Sequence, residues 1–333
     1  MKETVRKVNH PVIVGAVMLA IAIAYFALLG QSGFQEPSAG IQYDVATYRD
    51  IDNVDTRFEE VGQLDPKMES PQTMAVSEDG RIFIAGENEL VVFGDNDTEI
   101  DRFPISGKAK CMTVTPKNEI FIGFDDHVEV LAIDGTVKAV WDVIEPFPYI
   151  TSIAVLDENV FVAAAGNKVV MQYDLDGNLI REIGKKNEDE DIPGIEVPSP
   201  YLDLAVNDEG DLWVVNPGLL GMERYRNDGS IVTSWYRATL QLEGFSGCCN
   251  PTHVAFMNDG RLVTAEKGLV RVKLYDVTDG EYQELVAGSK LFPREQSLKD
   301  IAVDKQDRIL LLDPRINAVR IFDEKEKVDG QQS

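Results

Sequence analysis

From about residue 71 to residue 323 apolar positions recur in short runs broken by turn residues, without a sustained helical rhythm. Each unit opens on a strand-like triplet of apolar, small and apolar residues. The triplets are Met74-Ala75-Val76, Met112-Thr113-Val114, Ile153-Ala154-Val155, Leu204-Ala205-Val206, Val254-Ala255-Phe256 and Ile301-Ala302-Val303, separated by 38, 41, 51, 50 and 47 residues. Turn signals follow at matching offsets, from Glu78-Asp79-Gly80 in the first unit to Lys305-Gln306-Asp307 in the last. Second strands then read RIFIAG, EIFIGF, NVFVAA, DLWVVN, RLVTAE and RILLLD, and third strands end near Tyr/Phe-Asp, as in VRVKLYD.

Six such units predict an all-β fold, a six-bladed β-propeller, in which neighbouring units stack around a closed ring. The sixth unit ends at Ile321-Phe322-Asp323 without a good fourth strand. Residues Arg57 to Gly62 (RFEEVG), ahead of the first unit, can supply it and remove the free edges. The propeller is therefore expected over residues 57–327, with a polar tail at 328–333.

The N-terminal part has a different pattern. Residues Pro11 to Gly30 run for twenty positions without a charge, behind a flank carrying Lys2, Arg6 and Lys7. At about 1.5 Å per residue this segment reaches about 30 Å, the thickness of a hydrocarbon core. It predicts a single N-terminal transmembrane helix (residues 1–32 with its flank), with the N-terminus cytoplasmic and everything beyond Gln31 extracytoplasmic, periplasmic in a bacterium. Cleavage as a signal peptide near Gly30-Gln31-Ser32, giving a secreted protein, is the alternative. Residues 33–56 are polar and aperiodic, a linker. The net charge of −25 and pI near 4.4 set nucleic acid aside as a partner.

The sixth unit, IAVDKQDRILLLDPRINAVRIFD, resembles the NHL-repeat family of six-bladed propellers, with Asp313, Asn317 and Arg320 at that family's Asp…Asn…Arg positions. The fifth unit is similar, with Glu266 at the Asp position. The resemblance implies a binding platform for protein, RNA or ligand, and it also extends to lyases and metal-dependent hydrolases. The fold does not decide among these.

The resemblance also implies that the residue before each triplet enters the central channel on the face used for binding. These residues are Thr73, Cys111, Ser152, Asp203, His253 and Asp300. Asp203, His253 and Asp300 come from consecutive units, so they are candidate ligand or divalent-metal residues. The competing role is hydrogen bonding to backbone within the ring. Loops between second and third strands add Glu87, Asn88, Asp125, Asp126, His127, Asn216, Glu266, Lys267, Asp313 and Arg315, all compatible with ordinary turn chemistry. HExxH, GxSxG, P-loop and CxxC patterns are absent from the sequence.

Two long connections belong to the same face. Residues Gly184 to Pro200 are acidic and read as a solvated loop. Residues Trp235 to Pro251 are too apolar for solvent and are expected to fold over the mouth as a lid or to meet a partner. The second contains Cys248 and Cys249. Adjacent Cα atoms lie about 3.8 Å apart, closer than an ordinary disulfide spans, so a bond between them would close a strained ring. Two free thiols, a vicinal disulfide, and a metal or redox site with His253 all remain open. The expected function is a membrane-anchored binding or assembly module with a protein partner or small ligand at the mouth and no cofactor beyond a candidate divalent metal; whether it also catalyses a reaction stays open, with binding favoured. The alternative is a metal-dependent hydrolase or lyase, or a redox accessory protein.

Overall fold

The computed structural model describes residues 51–52, 54–141, 146–187, 194–292 and 297–325. These form six four-stranded antiparallel sheets, each a blade. The inner strands are Thr73–Val76, Cys111–Val114, Ile150–Leu156, Leu204–Val206, His253–Phe256 and Asp300–Val303. They neighbour one another in chain order, and the sixth returns to contact the first, so the ring is closed. The last blade takes its outer strand, Phe58–Leu64, from ahead of blade 1, paired antiparallel with Ala318–Glu324. No helix among the described residues is long and apolar enough to cross a membrane. The apolar segment at 11–30 lies outside them.

Local sequence explains the blades. In all six turns joining inner to second strands, one residue has a left-handed backbone. It is glycine in blades 1, 4 and 5 (Gly80, Gly210, Gly260) and Asn118, Asp157 and Asp307 in blades 2, 3 and 6. Glycine, asparagine and aspartate tolerate that conformation best, so a tight reversal fits at each of these positions.

The second strands read as unbroken apolar runs because both of their faces are buried. In blade 1, Ile82 and Ile84 pack toward Leu310 and Leu312 of blade 6, while Phe83 and Ala85 pack toward Ile120 and Ile122 of blade 2. Successive side chains alternate between faces, so one strand serves two interfaces. The core is thus six inter-blade layers, and no blade can bury its apolar surface alone.

The Asp…Asn…Arg pattern is a clamp within the blade. Asp313 bonds the Arg315 backbone N–H (3.0 Å) and guanidinium (Nε, 2.8 Å), and lies 3.6 Å from Arg320. Seven-residue spacing recurs in blade 5, where Glu266 pairs with Lys273 at 2.8 Å, and in blade 4, where Asn216 donates to Glu223 at 2.7 Å. Each pair ties a second strand to the third across their connection.

The 235–251 connection does not cover the mouth. Trp235 and Phe245 are buried with Trp213, Met222, Val254 and Tyr275 between blades 4 and 5. Lys273, fully buried, donates to the carbonyls of Leu242 and Gly244, and Arg271 donates to that of Leu240. A chain whose carbonyls are held by buried cations and whose aromatics fill an interface works as a wedge, and the lid expectation is corrected accordingly. Asp52, within the segment read as a linker, is buried and pairs with Arg271 at 2.8 Å. Residues 188–193 of the acidic connection lie outside the described residues.

Candidate functional site

The six residues ahead of the triplets do converge at one end of the ring, but several are engaged with backbone. Asp203 Oδ2 accepts the Val254 N–H of blade 5 (2.8 Å), and its Oδ1 accepts the Leu204 N–H (2.9 Å). Asp300 Oδ2 accepts the Met74 N–H (2.9 Å) and the Thr73 hydroxyl (2.6 Å) of blade 1, while Oδ1 accepts the Ile301 N–H (2.8 Å). Ser152 Oγ accepts the Leu204 N–H at 3.2 Å. These bonds tie blade 3 to 4, blade 4 to 5 and blade 6 to 1 at the narrowest point of the ring.

His253 Nδ1 lies 3.7 Å from Asp203 Oδ2. Burial works against the imidazolium, but Asp203, Asp300 and the Leu298 backbone outweigh it and raise the His253 pKa. Burial is also the largest influence on Asp300, whose pKa is pushed up to about 6; Asp203 adds to the rise and His253 opposes it. Burial pushes the Cys111 thiol well up, helped by Asp300 and Asp203. The three candidates therefore form one electrostatic cluster. Among the described residues no set of three or more His, Cys, Asp or Glu side chains is arranged to hold a metal ion.

A cavity of about 720 Å³ runs along all six inner strands. At the mouth its lining includes Lys110, Lys299, Asp203 and His253, and toward the other end Glu78, Asp208, Glu209 and Asp259. A second depression of about 300 Å³ opens at the mouth, lined by Lys108, Lys110 and Lys299, with Tyr149 against Lys110, and by Pro200, Tyr201 and His253. Tyr201 meets His253 edge-on with ring centres 6.4 Å apart, and its hydroxyl lies 3.1 Å from Ser297 Oγ. These lysines and tyrosines did not figure among the expected site residues. Their signal was positional, since Lys110 and Lys299 immediately precede Cys111 and Asp300.

The remaining candidates are more dispersed. Glu266 and Asp313 are buried in their clamps and line neither cavity. Asp125 pairs with Lys110 (2.8 Å), Glu87 lies 3.5 Å from Lys108, and His127 bonds Asp126 (2.7 Å) while stacking on Phe124.

Cys248 is exposed and Cys249 buried, with Sγ atoms 3.1 Å apart, within hydrogen-bond reach and not joined as a disulfide. Burial disfavours the Cys249 thiolate, yet Ser199, Cys248 and Lys267 together lower its pKa, while its neighbour raises that of Cys248. Lys267 links this pair to the mouth: its ammonium donates to Ser199 Oγ (2.8 Å) and lies 4.6 Å from the centre of the Tyr201 ring.

No protein-family model matches the chain, and no curated protein matches it in sequence. Solved structures do match in fold. A streptogramin B lyase is 12% identical over 80% of this chain and 98% of its own, with a TM-score of 0.58. The virginiamycin B lyase of Staphylococcus aureus is 14% identical over 80% and 99%, with a TM-score of 0.55. The WD40 propeller domain of Doa1 is 12% identical over 82% and 98%, with a TM-score of 0.53. At these identities the likeness establishes the β-propeller fold, whose six blades the sheets above display, and it establishes no family.

Proposed function

We propose that the chain is a binding or assembly module, held at an extracytoplasmic membrane face by residues 11–30, that receives a ligand or protein partner at the mouth of the ring. The observation that carries this reading is the division of labour at the mouth. Asp203 and Asp300 tie neighbouring blades through backbone N–H groups, while an open depression remains beside them, walled by lysines and tyrosines. Rigid walls with a few placed polar groups are the chemistry of a receptor. Propeller folds commonly mediate protein interactions, and the fold shared with the WD40 propeller domain of Doa1 is compatible with that role.

A second reading is favoured by one observation. The pKa values of Asp300 and His253 are both raised in a single cluster, which is a feature of acid–base sites. It gives a hydrolase or lyase, metal-dependent or not, with Asp203, His253 and Asp300 at its centre and Cys248 and Cys249 nearby, or a redox accessory protein. Metal analysis and affinity capture of the full-length protein separate the two. A metal-free protein that copurifies with a membrane complex supports the module; a stoichiometric metal lost in His253→Ala supports the enzyme.

A further inference from the structure

The chain carries a net charge of −25, yet three lysines line one small depression at the mouth of the ring. Lys108 and Lys110 come from the connection into blade 2, and Lys299 stands just ahead of blade 6. Lys110 and Lys108 have carboxylate neighbours, Asp125 and Glu87. Among the described residues Lys299 has no carboxylate within ion-pair distance. Its pKa is lowered, first by partial burial and then by Lys108 and Lys110. Gathering like charges in this way costs free energy in the empty site, and a bound anion would relieve it.

Aromatic residues in the same lining complete a receptor of defined chemistry. Tyr149 lies beneath Lys110, with the ammonium 5.2 Å from its ring centre, and Tyr201 stands beside His253. Asp203, the carboxylate in this lining, has both oxygens bonded to backbone N–H groups. The volume of about 300 Å³ is at the lower end of the range for small-molecule sites.

We propose that the mouth is a receptor for a small organic anion of two or more charges, a di- or tricarboxylate or a phosphate monoester, gripped by Lys108, Lys110 and Lys299 with its body between Tyr149 and Tyr201. This rests on the reading of the mouth as the recognition surface and names what that surface recognises. The wider channel is unsuited to the same ligand at its far end, where Glu78, Asp208, Glu209 and Asp259 gather.

The test is calorimetric titration of the full-length protein in neutral detergent with citrate and, separately, inorganic phosphate, using glycerol as the uncharged control. Saturable binding of an anion is expected, weakened tenfold or more by Lys299→Gln or Lys110→Gln at unchanged melting temperature. Binding should also weaken between 20 and 200 mM salt, about as screening of a partly exposed ion contact requires. Glu78→Gln, at the opposite end, should leave the affinity within twofold. No saturable binding of either anion, or equal weakening by Glu78→Gln, overturns the proposal. If anions fail to bind while a membrane partner is still captured by Lys299→Gln, the anion site falls and the binding-module reading stands. A stoichiometric metal lost in His253→Ala would instead remove the module reading itself.

Discussion

The Asp203 carboxylate at the start of blade 4 accepts the backbone N–H of Val254 in blade 5 at 2.8 Å, directly beside the His253 ring. One side chain thus joins two blades and, against the opposing effect of burial, helps to raise the pKa of the only mouth histidine in the described inner strands. Asp203→Ala should cost about 1.5–3 kcal/mol, the usual worth of a hydrogen bond to a charged group. It should also lower the His253 pKa. Denaturant unfolding and NMR titration of His253 check the two effects; an unchanged His253 titration would remove the electrostatic link.

Asp300 gives the stability of the ring a pH dependence with a definite sign. Its folded pKa, about 6, exceeds the ordinary carboxylate value, so the folded state holds the proton more tightly and stability falls as pH rises from about 4 to 6. The raised pKa of His253 works in the same direction: its contribution is full below the unfolded histidine value and is lost as pH rises through the folded one. The stability of wild type relative to Asp300→Asn should therefore be greater at pH 5 than at pH 7.5. Parallel unfolding curves at the two pH values provide the measurement, and a wild type that loses stability relative to Asp300→Asn on acidification would contradict it.

Lys273 and Glu266 are both fully buried, and the pair holds the 235–251 wedge through the carbonyls of Leu242 and Gly244. Lys273→Met alone leaves a buried carboxylate without its cation and should cost about 3–5 kcal/mol. Replacing both partners, as Lys273→Met with Glu266→Gln, should recover part of that loss. Single- and double-variant unfolding free energies show whether the coupling exists.

The three thiols should separate by access. Cys248 is exposed, whereas Cys111 and Cys249 are buried. A native thiol titration under reducing pretreatment should show one fast-reacting group, abolished by Cys248→Ser, and three groups after denaturation. Fast reaction persisting in Cys248→Ser would place Cys249 within reach of solvent.

Much of the architecture was legible because every blade repeats it locally. The triplets such as Leu204-Ala205-Val206 sit on inner strands, the turn residues Gly80, Asn118 and Asp307 take the left-handed conformation, and all of RFEEVG but Arg57 lies within the strand that closes the ring. The convergence of Asp203, His253 and Asp300 was implied by the resemblance of the units to six-bladed propellers, not by their spacing. What remained hidden depends on long side chains reaching between blades. Lys108, Lys110 and Lys299 belong to connections some 190 residues apart, and no local pattern marks their meeting. The role of the 235–251 segment was misjudged for a related reason. Its apolar residues signalled burial, but only the buried ammonium of Lys273 and guanidinium of Arg271 specify a wedge in place of a lid.

The closing strand imposes an order in time. Glu60 and its partner Arg320 are 260 residues apart, so the earliest strand of the ring must wait for the latest before it can pair. At synthesis rates of about 5–20 residues per second, that interval is roughly 13–50 s. Throughout it, the Phe58–Leu64 segment lacks the strand it pairs with, and the blade 1 face that meets Leu310 and Leu312 lacks that partner. A truncated product ending before blade 6 would keep both exposed, so the closure that hides the edges of the finished ring also distinguishes complete chains from incomplete ones.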